Sequence, residues 1–294
     1  MHADEVATDA TLVRRLLAAQ FPAWADFPIE QVASAGTDNA LYRLGDDMVV
    51  RLPRIQWAVK DVEKEREWLP RIAPLLPLAI PVPLGSGEPA EGFPWPWSVY
   101  RWLPGENPSV EPGADADSLA PEVARFVAAL HRVDPADGPP AGRGIPLGRR
   151  DAPTRAAIGA LQEIVDTIAV TAAWDAALQA PAWPGPPVWV HGDLSAGNLL
   201  TVDGRLSAVI DFGGLGVGDP ACDLIVAWDL FSAEARKAFR EALGVDDATW
   251  ERGRGWALST ALIALPYYRD TNPAIMASAR RKIAAVLADH AGTA

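Results

Sequence analysis

The hydrophobic pattern of the first hundred residues is typical of a small antiparallel sheet accompanied by helices. Apolar residues recur at helical spacing over residues 9–21, and Pro22 ends that pattern. Three strand-like runs follow at 29–35, 40–44 and 48–52. Because turn residues separate these runs, they predict an antiparallel meander. A second helix is predicted over residues 56–76, and a further strand over 98–103.

Beyond residue 103 the pattern becomes mainly helical. Helices are predicted at 118–132, over a long alanine-rich stretch at 153–180, and as four segments from residue 220 onward. Residues 188–190 form a short apolar strand, and the runs 198–202 and 205–210 flank Asp203-Gly204, a strong hairpin signal. The sequence therefore predicts an α+β protein with a small antiparallel-sheet N-lobe at 1–103 and a larger, mainly helical C-lobe at 104–294.

The composition and charge of the chain limit the kinds of partner that it can bind. Its 294 residues include 38 acidic and 26 basic side chains, which give a formal net charge of -12. Such a charge repels a nucleic-acid backbone and favours a cationic partner. No apolar run is long enough to span a membrane, and a single cysteine, Cys222, indicates a reducing compartment. We therefore expect a cytoplasmic protein with no nucleic-acid or membrane partner.

The stretch WVHGDLSAGNLLTVDGRLSAVIDFGG at residues 189–214 carries the candidate chemistry. Asp193 can accept a proton from a hydroxyl group, and Asn198 and Asp211 offer the hard oxygen atoms that Mg²⁺ prefers. Two strand ends and the turn between them can bring these side chains around one small volume. Such a set suits phosphoryl transfer, which depends on positioning and charge neutralisation. The alternative is that they are loop residues that cap turns.

The segments HGDLSAGNLL, VIDFG and GDPACDL resemble the catalytic and metal-binding motifs of the aminoglycoside phosphotransferase family, whose members are antibiotic kinases. GTDNALYRLGDDMVVRLPR and FVAALHRVD are also similar to that family, so the resemblance extends over nearly the whole chain. It implies a bilobal, protein-kinase-like fold, with Asp193 as the catalytic base and Asn198 and Asp211 as ligands of Mg²⁺. Asp219 and Asp223 match a family signature, and we interpret them as organisers of the C-lobe.

The resemblance also implies that the N-lobe binds the phosphoryl donor, ATP or GTP. The turn Gly36-Thr37-Asp38-Asn39 can cover the phosphates with backbone N–H groups, although one glycine between strands is also typical of an ordinary hairpin. Where related kinases carry a lysine on the third strand, MVVRLPR offers Arg51 as the phosphate-contacting cation. A guanidinium is a rigid fork rather than a point charge, so the phosphate geometry can differ. Tyr100 and Trp102 would belong to the hinge, whose backbone faces adenine in kinases.

Glu65 is the predicted partner of Arg51. On the helix beyond residue 58, apolar residues recur at steps of three or four, and Glu65 falls on their stripe, unlike Glu63 and Glu67. A carboxylate on the buried face costs stability unless it is paired, and Arg51 is the partner that the fold would supply. The alternative is a helix rotated far enough to leave Glu65 at the boundary of the core.

Other conspicuous residues have ordinary explanations. The glycine-rich stretch 213–218 does not open a helix, which excludes a dinucleotide-binding fingerprint. His131 and His191 lack the spacing of metal ligands, so we expect His131 to be structural and His191 to orient the loop that carries Asp193.

The acceptor is expected to be a small molecule. Only seven residues separate Asp211 from Asp219, too few for the activation segment with which protein kinases bind a peptide. The acidic balance favours a cationic, hydroxyl-bearing acceptor such as an aminoglycoside, while macrolides, choline, homoserine and sugars stay open. A non-catalytic nucleotide-binding protein of the same fold is the alternative from another class. Acceptor contacts are expected within 224–290, including Trp228, Asp229, Trp256, Tyr267, Tyr268 and Asp270.

Overall fold

A computed structural model describes residues 5–32, 38–110, 115–269 and 272–293 of the chain. It divides into two compact units, neither of them contiguous in sequence. The first comprises residues 1–75, 79–104 and 208–213, and the second comprises 76–78, 105–207 and 214–294. The chain passes from the first unit to the second after residue 104, and the short segment 208–213 returns to the first unit.

A five-stranded antiparallel sheet forms the core of the first unit, in the order β1-β2-β3-β5-β4. Its strands are β1 Ile29–Gln31, β2 Asn39–Leu44, β3 Met48–Pro53, β4 Pro83–Gly87 and β5 Trp97–Arg101. The first three strands form the predicted meander, and alternate residues of β2 are buried. β4 was not predicted because its sequence, PLGSG, has low strand propensity, yet it pairs along β5.

Two helices accompany the sheet of the first unit. α1 Ala10–Gln20 begins where the carboxylate of Asp9 accepts a hydrogen bond from the Leu12 amide at 2.7 Å. Its apolar face, which includes Leu16, shares one core with residues of the sheet. α2 Val59–Ile72 is shorter than the predicted helix at 56–76, since the residues on either side form single 3-10 turns.

The second unit is mainly helical. Its helices are α3 Ala120–Leu130, α4 Asp151–Ala160, α5 Thr167–Gln179, α6 Ile225–Leu230, α7 Ala233–Leu243, α8 Asp247–Tyr268 and α9 Pro273–Thr293. The last four are the four helices predicted beyond residue 220. Within the described ranges, no helix is both long and apolar enough to cross a membrane.

The alanine-rich stretch 153–180 forms two helices, so the prediction of one long helical stretch was wrong. α4 ends at Ala160, and α5 begins after Asp166, whose carboxylate accepts hydrogen bonds from the amides of Ile168 and Ala169 at 3.0 Å. A carboxylate that caps backbone N–H groups starts a new helix rather than continuing the old one.

Residues 188–218 include two small two-stranded sheets. They pair β6 Val188–Val190 with β9 Gly216–Gly218, and β7 Leu199–Val202 with β8 Arg205–Val209. Asp203 and Gly204, with φ of 50° and 74°, form the predicted two-residue hairpin turn. β9 was not predicted, because a run of glycines carries no hydrophobic pattern. Its glycines allow close packing, since a Cβ on Gly218 would lie 2.6 Å from the carbonyl oxygen of Gly144.

Removing the cap of α5 should lower stability. We expect Asp166→Ala to reduce the free energy of unfolding by about 0.5–2 kcal/mol, because two amide groups lose their acceptor. Glu163→Ala is the matched control, since Glu163 is an exposed acidic residue of the same connecting segment. Urea unfolding followed by circular dichroism measures both variants. Equal stability of the two variants would show that Asp166 does not determine where α5 begins.

Candidate active site

Arg51, which is largely buried, and Glu65, which is fully buried, form an ion pair between β3 and α2. Nη1 of Arg51 lies 2.7 Å from each carboxylate oxygen of Glu65, and the Glu65 side chain is 1% exposed. With its amide oxygen turned toward the guanidinium, Asn39 accepts hydrogen bonds from Nη2 at 2.9 Å and Nε at 3.2 Å. The helix face predicted from sequence therefore does bring Glu65 to Arg51, while Glu63 and Glu67 are exposed.

Tyr100 completes the surroundings of Glu65. The Tyr100 hydroxyl donates a hydrogen bond to Glu65 Oε2 at 2.5 Å. Burial, and then the negative charge of Glu65, raise the pKa of the Tyr100 hydroxyl, so it stays a donor. Burial disfavours the charge of Arg51, but Glu65 and its other electrostatic partners outweigh burial and raise the pKa of the guanidinium. The Arg51 guanidinium therefore keeps its positive charge at neutral pH.

Asp211 lies on the other side of Arg51. Its Oδ1 is 3.6 Å from Nη2 of Arg51, and its side chain is 51% exposed. The backbone of Asp211 is left-handed, with φ of 62°, a conformation that Asp tolerates better than most residues. We call Asn39, Arg51, Glu65, Tyr100 and Asp211 the Arg51 cluster. The exposed carboxylate of Asp211 is able to bind a further cation.

Lys64 contacts the turn that carries Asp211, which the sequence did not indicate. Its Nζ lies 3.1 Å from Asp61 on the same helix and donates to the carbonyl oxygen of Gly213 at 2.5 Å. Two residues of α2 therefore connect to the turn that carries Asp211. Glu65 pairs with Arg51, which lies beside Asp211, and Lys64 donates to the backbone of that turn. No pattern around Lys64 distinguishes it from other surface lysines.

In the second unit, Asp193 and Asn198 belong to one loop, residues 191–198, which we call the Asp193 loop. Gly192 has φ of 79°, and a Cβ there would lie 2.6 Å from the carbonyl oxygen of Gly214. The position therefore requires glycine. The side-chain nitrogen of Asn198 donates to the carbonyl oxygen of Asp193 at 2.8 Å, which folds the loop back on itself.

A buried carboxylate, that of Asp223, holds the start of the Asp193 loop. It accepts hydrogen bonds from the amides of His191 at 3.0 Å and Gly192 at 2.8 Å, and it lies 3.1 Å from Nε2 of His131. The amide of Asp193 donates to Nδ1 of His191 at 3.2 Å. His191 therefore orients the loop as expected.

Asp219 is likewise held in the interior. It accepts from the amide of Ala221 at 3.0 Å at the start of a 3-10 turn, and its Oδ2 lies 2.7 Å from Nε of Arg252. Both Asp219 and Asp223 thus bind backbone and side chains of the second unit, as the interpretation of them as organisers implies.

Arg143 is the contact of the Asp193 loop that sequence reasoning missed. Its Nη1 donates to Oδ1 of Asp193 and to the carbonyl oxygen of Gly192, the latter at 3.0 Å. Burial alone would raise the pKa of Asp193, but the positive charge of Arg143, together with His191 and Lys282, outweighs burial and lowers the pKa. Asp193 is therefore ionised at neutral pH.

The remaining predicted nucleotide contacts are Gly36, Thr37 and Trp102. Gly36 and Thr37 lie outside the described residues. The amide of Trp102 donates to the carbonyl oxygen of Asp47 at 2.7 Å, and Arg43 stacks 4.1 Å above the Trp102 ring. The backbone N–H of Trp102 is thus bonded within the first unit.

The residues expected to contact the acceptor are largely interior. Trp228 and Trp256 are buried, so they belong to the core rather than to an acceptor surface. Asp229 is also buried, and it accepts from the amide of Ala196 and the hydroxyl of Ser278, each at 2.8 Å. Tyr267 is exposed, and Asp270 lies outside the described residues.

A protein-family model described as the phosphotransferase enzyme family matches residues 29–256. No curated protein sequence matches the chain. Similar solved structures include the GDP and kanamycin complex of APH(2'')-IIIa, with 20% identity and a TM-score of 0.75 over 95% of this chain and 98% of that chain. The macrolide 2'-phosphotransferase MphH from Brachybacterium faecium has 23% identity and a TM-score of 0.64 over 95% and 97%. The ADP-bound aminoglycoside phosphotransferase APH(2'')-Ib has 18% identity and a TM-score of 0.62 over the same shares.

Glu65→Gln should destabilise the first unit strongly. It leaves the largely buried guanidinium of Arg51 without the carboxylate that balances its charge, and removing one member of a buried ion pair costs about 3–5 kcal/mol. We expect the loss of unfolding free energy near the lower end, since Asp211 still lies beside Arg51. Glu63→Gln, on the exposed face of the same helix, should change stability by less than about 0.5 kcal/mol. Denaturant unfolding compares the two variants, and similar losses would mean that the pair does not stabilise the fold.

Proposed function

The chain belongs to the phosphotransferase enzyme family, and we propose that it transfers the γ-phosphoryl group of ATP or GTP to a hydroxyl group of an antibiotic, an aminoglycoside. The observation that carries the proposal is the Arg51 cluster. A cation from β3, a buried carboxylate from α2 and an exposed carboxylate from the Asp-Phe-Gly turn meet there from three separate stretches of sequence. Charge of both signs, fixed in place, is what a polyphosphate and its metal ion require.

In this proposal the Arg51 cluster binds the nucleotide phosphates. Arg51 contacts the phosphates, while Glu65 and Asn39 hold its guanidinium in one orientation. Tyr100 acts through Glu65, since its hydroxyl is bonded to that carboxylate. Gly36, Thr37 and Trp102 are proposed nucleotide contacts on the family resemblance alone. The GDP and ADP complexes among the similar structures support a nucleotide donor.

Asp193 is the proposed catalytic base. Its ionised carboxylate accepts the proton of the acceptor hydroxyl as the oxygen attacks the γ-phosphorus. Hydrogen bonds to Asp223 and Asn198 hold the backbone of the Asp193 loop, so the main chain at Asp193 is positioned before any substrate binds. Such positioning supplies most of the catalysis in phosphoryl transfer.

Asn198 and Asp211 are the proposed ligands of Mg²⁺. Their donor atoms suit the ion, because both side chains carry hard oxygens. Asn198 uses its amide nitrogen toward Asp193 and leaves its oxygen for another partner, and the Asp211 carboxylate is about half exposed. When bound, Mg²⁺ neutralises charge on the phosphates.

The acidic composition supports a cationic acceptor. With a net charge of -12 the chain attracts a polyamine-like molecule, and one of the similar structures is a kanamycin complex. A macrolide is the second candidate acceptor, favoured by the 23% identity to a macrolide 2'-phosphotransferase.

A cytoplasmic location belongs to the proposal, since the single cysteine, Cys222, is buried and free.

An acceptor panel tests the proposal directly. We expect the protein, with ATP or GTP and Mg²⁺, to add one phosphate to at least one aminoglycoside, detected as a mass increase of the antibiotic. Bacteria that produce the chain should then tolerate that antibiotic better than bacteria that produce Asp193→Asn. Phosphate addition only to a macrolide or to a neutral metabolite would contradict the aminoglycoside assignment. Nucleotide binding without turnover of any acceptor would favour the non-catalytic alternative.

Mutation of Asp193 and mutation of Asp211 should affect different steps, turnover in the first case and nucleotide binding in the second. Asp193→Asn should reduce kcat by about 10²- to 10⁴-fold, as expected for a lost general base, with nucleotide affinity nearly unchanged. Asp211→Asn should instead weaken Mg²⁺-dependent nucleotide binding, because the ion loses a charged ligand. Calorimetric titration beside steady-state kinetics measures both effects.

Asp203→Asn is the control for these variants. Asp203 lies in the exposed hairpin turn between the two residues, and Asn tolerates its positive φ. Wild-type turnover in Asp193→Asn would remove that residue from the proposed mechanism.

A further inference from the structure

Arg143 holds one oxygen of Asp193 and leaves the other open. Nη1 of Arg143 bridges Oδ1 of Asp193 and the carbonyl oxygen of Gly192. In the part of the chain that the structure describes, Oδ2 of Asp193 accepts no hydrogen bond. A carboxylate with one oxygen bound cannot exchange its two oxygens by rotation without breaking that bond. The free oxygen therefore has a defined direction.

The backbone that carries Arg143 is itself fixed. The segment 139–144 lies along β9, where the amide of Ala141 donates to Val217 at 3.0 Å and the amide of Val217 donates to Pro139 at 2.8 Å. Immediately after Arg143, the carbonyl oxygen of Gly144 accepts from Asp219 at 2.7 Å. β9 in turn pairs with β6, the strand that leads into the Asp193 loop. Arg143 and Asp193 are thus anchored to the same small sheet.

We propose that Arg143 is a positioning residue for the phosphoryl transfer: it fixes Oδ1 of Asp193 so that Oδ2 faces the acceptor hydroxyl. This inference rests on the proposed function, in which Asp193 is the base. A guanidinium suits the task because it is planar and rigid, so the two hydrogens of Nη1 point in fixed directions, toward a carbonyl oxygen and a carboxylate oxygen. Small errors in the placement of a catalytic group are costly, with displacements near 1 Å reducing rates by about a hundredfold.

The test compares Arg143→Met with Arg143→Lys in steady-state kinetics on an acceptor that the wild-type protein phosphorylates. We expect Arg143→Met to lower kcat by about 10- to 100-fold, since Asp193 loses its orientation. The KM for nucleotide should stay within about twofold, because Arg143 has no part in nucleotide binding. Arg143→Lys should recover part of kcat, as an ammonium still donates to Oδ1. Arg149→Met is the matched control, an exposed arginine of the neighbouring 3-10 turn.

A double-mutant cycle separates positioning from a general structural role. In the Asp193→Asn background, Arg143→Met should have little further effect on kcat, because the group it positions is no longer a base. A full additive loss in that background, or a nucleotide KM that rises as kcat falls, would overturn the inference. Wild-type kcat in Arg143→Met would overturn it as well.

Folding and activity controls keep the outcomes apart. The melting temperature of each variant shows whether it is folded, and if Arg143→Met is not, Arg143→Gln takes its place in the same comparison. An active wild type with an equally active Arg143 variant refutes the inference alone. A wild type that phosphorylates no acceptor refutes the proposed function, and the inference with it.

Discussion

The geometry of the Asp193 loop depends on one fully buried carboxylate, that of Asp223. A charge removed from water must be compensated by hydrogen bonds, and Asp223 finds them in two consecutive backbone amides and the ring of His131. Those amides belong to the two residues before Asp193. These hydrogen bonds to the buried carboxylate therefore fix the main chain directly before Asp193, the proposed base.

The first unit uses the same principle with Glu65. Its carboxylate is buried between Arg51 and Tyr100, so three elements, β3, α2 and β5, share one network of charge and hydrogen bonds. A buried ion pair adds little net stability relative to apolar packing, but its separation is expensive. Such a pair specifies geometry more than it strengthens the fold. That property is useful where a cation must meet phosphates in one orientation.

Sequence reasoning succeeded where a periodic pattern carried the information. The apolar stripe of α2 was enough to select Glu65 over its neighbours, and Asp203-Gly204 was enough to locate a hairpin. It failed where structure depends on pairing between distant segments. β4 (PLGSG) and β9 (GVG) consist mostly of glycine, serine and proline, so their strand conformation depends on the strands with which they pair. Arg143 lies in such a segment, and its contact is with a loop 50 residues further along the chain.

Because residues 208–213 belong to the first unit, recombination between genes of this family would divide the Arg51 cluster. A gene fragment that ends at residue 104 encodes Arg51 and Glu65 but not Asp211, although the three side chains form one cluster. Exchange of this fragment between relatives would combine a cation from one parent with a carboxylate from another. The two units are thus not independent modules for recombination, because part of the Arg51 cluster is encoded within the stretch that builds the second unit.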